Sequence, residues 1–173
     1  DFYEDDVLNN AAKIIYENGG IIVAVCHGPA GICNIKLSNG EYLVKGKKVT
    51  GFTDDEERTV KLDKVMPFML ETTLKARGAL FVGADTFAEN VVVDGRLVTG
   101  QNPASASKCA NEIIKILDDR EIIETKDDDD TKNDTSVSKV NVILLVSSHA
   151  DLGNTGKKTG WYLPEVAHPY EHF

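Results

Sequence analysis

The segment IIVAVCHGPAG, residues 21–31, decides the fold of this 173-residue chain. Its five leading residues form an uninterrupted apolar run, which is typical of a strand buried on both faces of a parallel sheet. The abrupt change to a glycine- and proline-containing turn predicts that the strand ends at Cys26 and that a helix follows over residues 30–36. Because a tight turn of this kind presents its first side chain over the carboxyl edge of the sheet, Cys26 is the first candidate functional residue.

The remaining sequence alternates between helical and strand patterns. Apolar spacing and turn residues predict helices over 6–18, 64–77 and 104–117, and short strands over 42–43, 48–50, 87–93, 97–99 and 140–147. The Asp94-Gly95 pair predicts a hairpin between two of these strands. Strands that alternate with helices, and that are themselves fully apolar, predict an α/β fold with a mostly parallel sheet.

The composition argues against several classes of protein. A net charge of −9 disfavours nucleic-acid binding, which needs a basic face. No apolar run reaches the length of a membrane span, about 18 residues or more. The first residues, DFYEDDVLNN, do not resemble a signal peptide. Three cysteines without CxxC spacing argue against a disulfide framework or structural zinc, so we expect a reducing, cytoplasmic location.

Acidic residues are concentrated in one stretch, residues 118–138, which shows no apolar periodicity. Such a segment buries too little apolar surface to order itself, so we predict an acidic flexible linker there. This linker divides the chain into residues 1–117, which contain the cysteine turn, and residues 139–173, which contain the second buried strand.

The residues around Cys26 favour nucleophilic chemistry. The N–H groups and the positive dipole end of a following helix stabilise a thiolate, which is the nucleophilic form of cysteine. Gly28 leaves room for an approaching substrate, and His27 is an adjacent acid or base. The alternative is that Cys26 is a small buried hydrophobic residue, which is our interpretation of Cys33 and Cys109.

Four separate motifs are similar to one known family. They are AVCHGPAGI (24–32), VTGFTDDEE (49–57), LVTGQNPASA (97–106) and VILLVSSHADLG with the later PEVAHP (142–169). Together they resemble the DJ-1/PfpI superfamily and, within it, the Hsp31-like glutathione-independent glyoxalases. The resemblance implies a flavodoxin-like three-layer sandwich that forms a homodimer and needs no metal or other cofactor.

The order of these motifs differs from the family pattern. In the family, the VILLVSSHADLG strand and the PEVAHP segment open the domain, whereas here they follow the acidic stretch. A middle portion with a GGHG-type loop is also missing. Three explanations stay open: a circular permutation or rearrangement, a slice of a tandem protein, or a missing portion supplied by a complementing polypeptide.

The resemblance also assigns roles to residues of this chain. Cys26 matches the nucleophile and His27 the histidine beside it, while Glu165 matches a glutamate that approaches the cysteine sulfur. The acid that orients the histidine matches Glu57 best, with Glu56 as the alternative.

The Gly28 amide matches one half of an oxyanion site, whose other half belongs to the missing loop. A metal site at Glu165, His168 and His172 is disfavoured, because Pro169 interrupts a helix between the histidines.

These roles imply a glutathione-independent glyoxalase. Such an enzyme converts methylglyoxal and related 2-oxoaldehydes to 2-hydroxy acids such as lactate through a hemithioacetal on the cysteine. Two alternatives use the same cysteine, a protein deglycase and a redox sensor. A third, a stress-inducible chaperone that holds unfolded proteins, would rest on exposed apolar surface instead.

Overall fold

A computed structural model describes residues 2–127 and 142–145 of the chain. The helices are α1 (Asp6–Glu17), α2 (Asp54–Thr59), α3 (Leu70–Ala76) and α4 (Ala106–Asp127). The strands are β1 (Ile21–Val25), β2 (Lys48–Val49), β3 (Leu80–Phe81), β4 (Val91–Asp94), β5 (Leu97–Gly100) and β6 (Val142–Leu145). Short 3₁₀ helices occupy Phe2–Glu4, Gly28–Gly31 and Pro103–Ser105.

The central sheet has the strand order β4-β5-β1-β6. Strand β1 runs parallel to both of its neighbours, with Val23 opposite Val98 of β5 and opposite Leu144 of β6. Strand β4 forms the predicted hairpin with β5 and is antiparallel to it. The sheet is therefore mostly parallel, as the apolar run at 21–25 predicts. A separate two-stranded sheet pairs β2 with β3.

Strand β1 lies in the middle of three layers, and all five of its residues are buried. Ile21, Val23 and Val25 face one side, where they pack with Cys109 and Ile113 of α4. Ile22 and Ala24 face the other side, where the core includes Ala12 and Tyr16 of α1. A sheet covered by helices on both faces explains why the strand has no polar positions. The predicted α/β sandwich of flavodoxin-like type is confirmed.

Helix α1 begins and ends close to where the sequence predicts. The Asp5 carboxylate accepts hydrogen bonds from the N–H groups of Val7 and Leu8, which caps the first turn. The helix ends at Glu17, and Gly19 follows with a left-handed φ of 87°.

The prediction of a helix over residues 30–36 is wrong. The chain forms a 3₁₀ helix at Gly28–Gly31 and then further turns of the same kind, with the N–H of Ile32 bonded to the Pro29 carbonyl and that of Ile35 to the Ile32 carbonyl. Two glycines and a proline without an N–H make this segment a poor α-helix former.

The helix predicted over residues 64–77 is also shorter in the structure, since α3 begins only at Leu70. Pro67 explains the difference, because proline disfavours helical geometry in the residue before it and lacks a donor of its own.

Helix α4 is longer than predicted and continues to Asp127. Residues 118–127, predicted as part of the linker, are therefore helical. The sequence EIIETK within them is rich in residues that tolerate or favour a helix. The rest of the predicted linker lies outside the described residues, as does the segment 146–173. Of the strand predicted over 140–147, the structure describes β6. Within the described ranges, no helix is long and apolar enough to cross a membrane.

Gly100 at the end of β5 is packed too closely to carry a side chain. A Cβ atom there would lie 2.8 Å from the Cys109 sulfur and 3.0 Å from the Cβ of Ser105. We expect Gly100→Ala to lower the free energy of unfolding by about 1–3 kcal/mol through overpacking. Denaturant unfolding measures this change.

Two further variants test the cause of that loss. Cys109→Ala removes the sulfur that a side chain at residue 100 would meet. The loss of stability in the double variant Gly100→Ala, Cys109→Ala should therefore be smaller than the sum of the two single losses, and the difference is the coupling energy. Gly83→Ala is the matched control, because its nearest neighbour would be at an ordinary 3.5 Å. Equal losses at Gly100 and Gly83 would contradict the packing argument.

The Asp94 carboxylate joins the hairpin to β2. It accepts hydrogen bonds from the Lys48 N–H at 2.8 Å and from the Lys47 ammonium at 3.2 Å. Burial alone would raise the pKa of Asp94, but these bonds outweigh it and hold the pKa below its usual value. A lowered pKa in the folded state stabilises the protein above the unfolded-state pKa, and this contribution is lost as pH falls through the folded pKa.

We therefore expect Asp94→Asn to lower the free energy of unfolding at pH 7 by about 1 kcal/mol. The difference from the wild type should shrink as the pH falls below about 4. Urea unfolding at several pH values measures it. Asp55→Asn is the control, because the side chain of Asp55 is 80% exposed and pairs with Arg58 on the surface. A difference that stayed constant between pH 7 and pH 3 would contradict this account.

Candidate active site

Cys26 follows β1 directly and has a backbone conformation that is unusual for its residue type. Its φ is 61°, in the left-handed region. Such a conformation costs a residue with a side chain about 1–3 kcal/mol and persists only where neighbouring structure enforces it. Two hydrogen bonds do so here, from the Cys26 N–H to the Gly100 carbonyl at 2.9 Å and from the Phe52 N–H to the Cys26 carbonyl at 2.8 Å. The sharp turn predicted at Cys26 is thus present.

The turn after Cys26 differs from the one the sequence predicts. Gly28 is buried and begins a 3₁₀ helix of four residues, and the Ala30 N–H donates to the His27 carbonyl. A single short turn has no substantial macrodipole, so the expected contribution of a long helix to thiolate stability is absent from this segment. Stabilisation of a thiolate must come mainly from side chains and local N–H groups.

Cys26, His27 and Glu57 form a line of contacts. The Cys26 sulfur is 3.4 Å from Nδ1 of His27, and Nε2 of His27 is 2.8 Å from Oε2 of Glu57. The histidine side chain is 35% exposed, whereas that of Glu57 is only 4% exposed. A buried carboxylate on one ring nitrogen fixes the orientation of the ring, while the other nitrogen faces the thiol.

The structure places Glu57, and not Glu56, beside His27. The two side chains leave α2 in different directions, since Glu56 bonds to Thr53, Phe87, Gln101 and Asn102. The other carboxylate oxygen of Glu57, Oε1, is buried and accepts no hydrogen bond from the described residues. The described hydrogen bond of the Glu57 side chain is therefore the one between Oε2 and His27. Spacing along the chain left both acids open as the partner.

Helix α2 was not predicted, although a local pattern marks it. Thr53 and Glu56 form a capping box, in which the Thr53 side chain accepts from the Glu56 N–H and the Glu56 carboxylate accepts from the Thr53 N–H. The pattern Thr-x-x-Glu is the sequence signature of this motif. It starts the helix at Asp54 and thereby places Glu57 in the first turn, facing His27.

Phe52 is a second part of the site that sequence reasoning missed. Its ring lies against the His27 ring, with 4.4 Å between centroids, and contacts the Phe87 ring at 6.2 Å. Phe52 is almost fully buried, whereas Phe87 is half exposed. The Phe52 ring, with Phe87 next to it, provides an apolar wall beside the imidazole, which restricts its rotation.

The surroundings of the two other cysteines disfavour their thiolate forms. Burial raises the pKa of Cys33 to about 11, against a smaller opposing effect of Arg77. Burial raises the pKa of Cys109 to about 12, with the negative charge of Glu112 adding to the effect. Both side chains are fully buried, as expected for hydrophobic core residues, whereas Cys26 is partly exposed.

Several residues named from the sequence lie outside the described part of the chain. They are Glu165, His168 and His172. Within residues 2–127 and 142–145, no group of three or more histidine, cysteine or acidic side chains is arranged to hold a metal ion.

Known proteins are similar to this chain over part of its length. The model of the DJ-1/PfpI family matches residues 1–116. Glyoxalase 3 of Candida albicans is 39% identical over 113 residues, covering 62% of this chain and 48% of the relative. The glutathione-independent glyoxalase HSP31 of Saccharomyces cerevisiae is 39% identical over 118 residues, covering 64% of this chain and 49% of the relative.

Solved structures are also similar to this chain. The crystal structure of glyoxalase III from Candida albicans superposes with a TM-score of 0.64 at 36% identity, covering 67% of this chain and 51% of that one. The rapid encystment protein of Francisella tularensis gives a TM-score of 0.65 at 37% identity, with 67% and 52% covered.

The chain spans about half the length of the curated relatives it matches. The matched region nevertheless includes β1, the Cys26 turn, α2 and β5, which build the described site. Since the family model matches well over half of its residues, the chain belongs to the DJ-1/PfpI family.

Proposed function

We propose that this chain is a glutathione-independent glyoxalase, acting on methylglyoxal and related 2-oxoaldehydes with Cys26 as the nucleophile. The observation that carries the proposal is the line of contacts from the Cys26 sulfur through His27 to the buried Glu57 carboxylate, built on a strained turn. A thiol next to a base that a third group orients is the arrangement that nucleophilic catalysis needs.

In the first step, His27 takes the thiol proton and the thiolate attacks the aldehyde carbon. A C–S bond forms, the carbonyl π electrons move to the oxygen, and that oxygen takes a proton to give a hemithioacetal. Glu57 holds the imidazole with one nitrogen toward the sulfur and stabilises its positive charge. The Gly28 amide is our candidate donor to the developing oxyanion.

In the second step, a proton moves from the former aldehyde carbon to the neighbouring carbonyl carbon through an enediol. This internal exchange oxidises the first carbon and reduces the second, so no external oxidant is needed. The product is a thioester, which water hydrolyses to the 2-hydroxy acid and the free thiol. His27 is one candidate for the proton carrier, and the family resemblance makes Glu165 the other.

The names of the relatives favour the enzyme over the chaperone alternative, since several are named glutathione-independent glyoxalases. Deglycase and redox-sensor activities would use the same cysteine and stay alternatives. The homodimer and the complementing polypeptide stay predictions from the resemblance, and the cytoplasmic location stays a prediction from the cysteine content.

The position of β6 supports one of the three explanations for the motif order. Its register places Val142 beside Ile21 and Leu145 beside Ala24, so the strand after the acidic stretch lies in the same sheet as β1. This is the arrangement expected of a single domain whose segments are permuted. We propose that residues 1–117 and 139–173 belong to one such domain.

We expect the 173-residue chain to form lactate from methylglyoxal without glutathione. Cys26→Ser should lower the rate by at least about a hundredfold, because a hydroxyl is a far weaker nucleophile than a thiolate. An enzymatic assay for lactate, with circular dichroism as a check of folding, measures both. Cys33→Ser is the matched control. The Cys33 thiol is buried, and its described hydrogen bond is donated to the Ala30 carbonyl. Lactate formation by folded Cys26→Ser, or none by the folded wild type, would contradict the proposal.

The three thiols should differ sharply in reactivity. At pH 7.5 we expect iodoacetamide to modify one thiol per folded chain, at Cys26, since burial raises the pKa of Cys33 to about 11 and that of Cys109 to about 12. In denaturant, all three cysteines should react. Peptide mass spectrometry identifies the sites. Modification of Cys33 or Cys109 as fast as Cys26 in the folded chain would refute the assignment of Cys26 as the activated thiol.

A further inference from the structure

Glu56 has an unusual environment for an acidic residue. Its side chain is completely buried, and its two oxygens face hydrogen-bond donors only. Oε2 lies 2.8 Å from the Thr53 N–H and 3.1 Å from the Thr53 hydroxyl. Oε1 lies 2.8 Å from the Phe87 N–H, 3.1 Å from the Gln101 amide nitrogen and 2.8 Å from the Asn102 amide nitrogen.

All these donors are neutral, and no lysine, arginine or histidine within the described ranges pairs with Glu56. Burying an acidic group without a counter-ion is costly unless its oxygens are fully hydrogen-bonded. A protonated carboxyl would turn its own O–H toward one of the donors. The arrangement therefore suits a carboxylate and no neutral group of the same shape.

The donors come from three segments that are far apart in the sequence. Thr53 caps α2, Phe87 lies in the loop after β3, and Gln101 and Asn102 follow β5. Phe87 has a left-handed φ of 61°, which is rare for a bulky residue, and its N–H donates to the Glu56 carboxylate. The carboxylate thus joins these segments in addition to a backbone hydrogen bond from the Gln101 N–H to the Asn90 carbonyl.

Each segment is directly joined to a part of the site. Glu57 follows Glu56 on α2 and reaches His27. Phe52 precedes Thr53, and it both stacks on His27 and donates its N–H to the Cys26 carbonyl. Gly100 precedes Gln101 and accepts the Cys26 N–H. The hydrogen bonds of Glu56 thus lie one residue away from three separate supports of the Cys26–His27 pair.

From this arrangement we infer that Glu56 is a positioning residue, whose carboxylate fixes Glu57 and the Cys26 turn relative to each other and thereby sets the reactivity of the Cys26 thiol. It touches none of the reacting atoms. The inference rests on the proposed function only in taking Cys26 as the reactive group. It requires an acceptor on both side-chain oxygens, which glutamine does not provide, since its amide NH₂ would face donors.

The test is the pH dependence of Cys26 alkylation by iodoacetamide in Glu56→Gln. We expect the midpoint of the profile to rise by about one pH unit and the rate at pH 7 to fall about tenfold, because a displaced Glu57 no longer stabilises the charged imidazole beside the thiolate. Glu57→Gln sets the size of the full effect. Since alkylation needs no turnover, this result is separate from lactate formation: a shifted profile with no lactate would leave the inference standing and overturn only the glyoxalase proposal.

Glu71→Gln is the matched control. Glu71 also supports the start of α2, since its Oε2 accepts the Asp54 N–H at 2.9 Å, but among the described residues it makes no hydrogen bond to the Cys26 turn and its other oxygen pairs with Lys75. We expect it to lower stability without moving the alkylation profile. An unchanged profile in folded Glu56→Gln, or an equal shift in Glu71→Gln, would overturn the inference.

A milder variant decides the matter if Glu56→Gln does not fold. Asn102→Ala removes one donor at 2.8 Å from the Glu56 carboxylate. We expect a shift in the same direction with a two- to fivefold lower rate at pH 7. A profile identical to that of the wild type in this variant would then overturn the inference.

Discussion

The backbone of Cys26 is held on both sides by residues that are distant in the sequence, and the described site depends on these two hydrogen bonds. The N–H group binds the Gly100 carbonyl at the end of β5, and the carbonyl accepts the Phe52 N–H. Together they keep a left-handed residue at the end of β1, a strand whose five residues are all buried. His27 extends from this fixed point, so the position of the imidazole follows from the backbone before any side-chain contact is made.

The strain at this position is small beside the burial that anchors it. A left-handed non-glycine residue costs about 1–3 kcal/mol. Each fully buried aliphatic side chain of β1 contributes about 1.5–3 kcal/mol relative to an exposed one. The run Ile21–Val25 supplies several such side chains, divided between two core clusters. A functional turn on a mobile loop would have no comparable burial of apolar side chains to offset its backbone strain.

The elements that a sequence predicts well here are those whose physics is local. The uniform apolar run of β1, the Asp5 cap of α1 and the Gly95 turn each show in a few consecutive residues. The choice between Glu56 and Glu57 is different, because it depends on how α2 rotates once Thr53 has capped it. Since donors from the Phe87 loop and from the end of β5 determine that rotation, no local pattern reports it.

The errors near Cys26 and at the end of α4 have a different cause. A helix after a strand-ending cysteine is the usual arrangement, but the local cost of Gly28, Pro29 and Gly31 prevails over it. In α4 the opposite happens, since residues that looked too acidic for order continue an existing helix, and extending a helix is much easier than starting one.

The parallel pairing of β1 with β6 has a consequence for how the chain is made. Ile21 pairs with Val142, so one side of this apolar strand lacks its partner until a much later part of the chain has been synthesised. Its other side pairs with β5 much earlier, with Val25 opposite Gly100. Contacts this distant in sequence form slowly, and an apolar strand with free N–H and C=O groups is a template for other chains. The nascent protein therefore passes through a stage in which one edge of β1 has no partner strand and can pair with another chain.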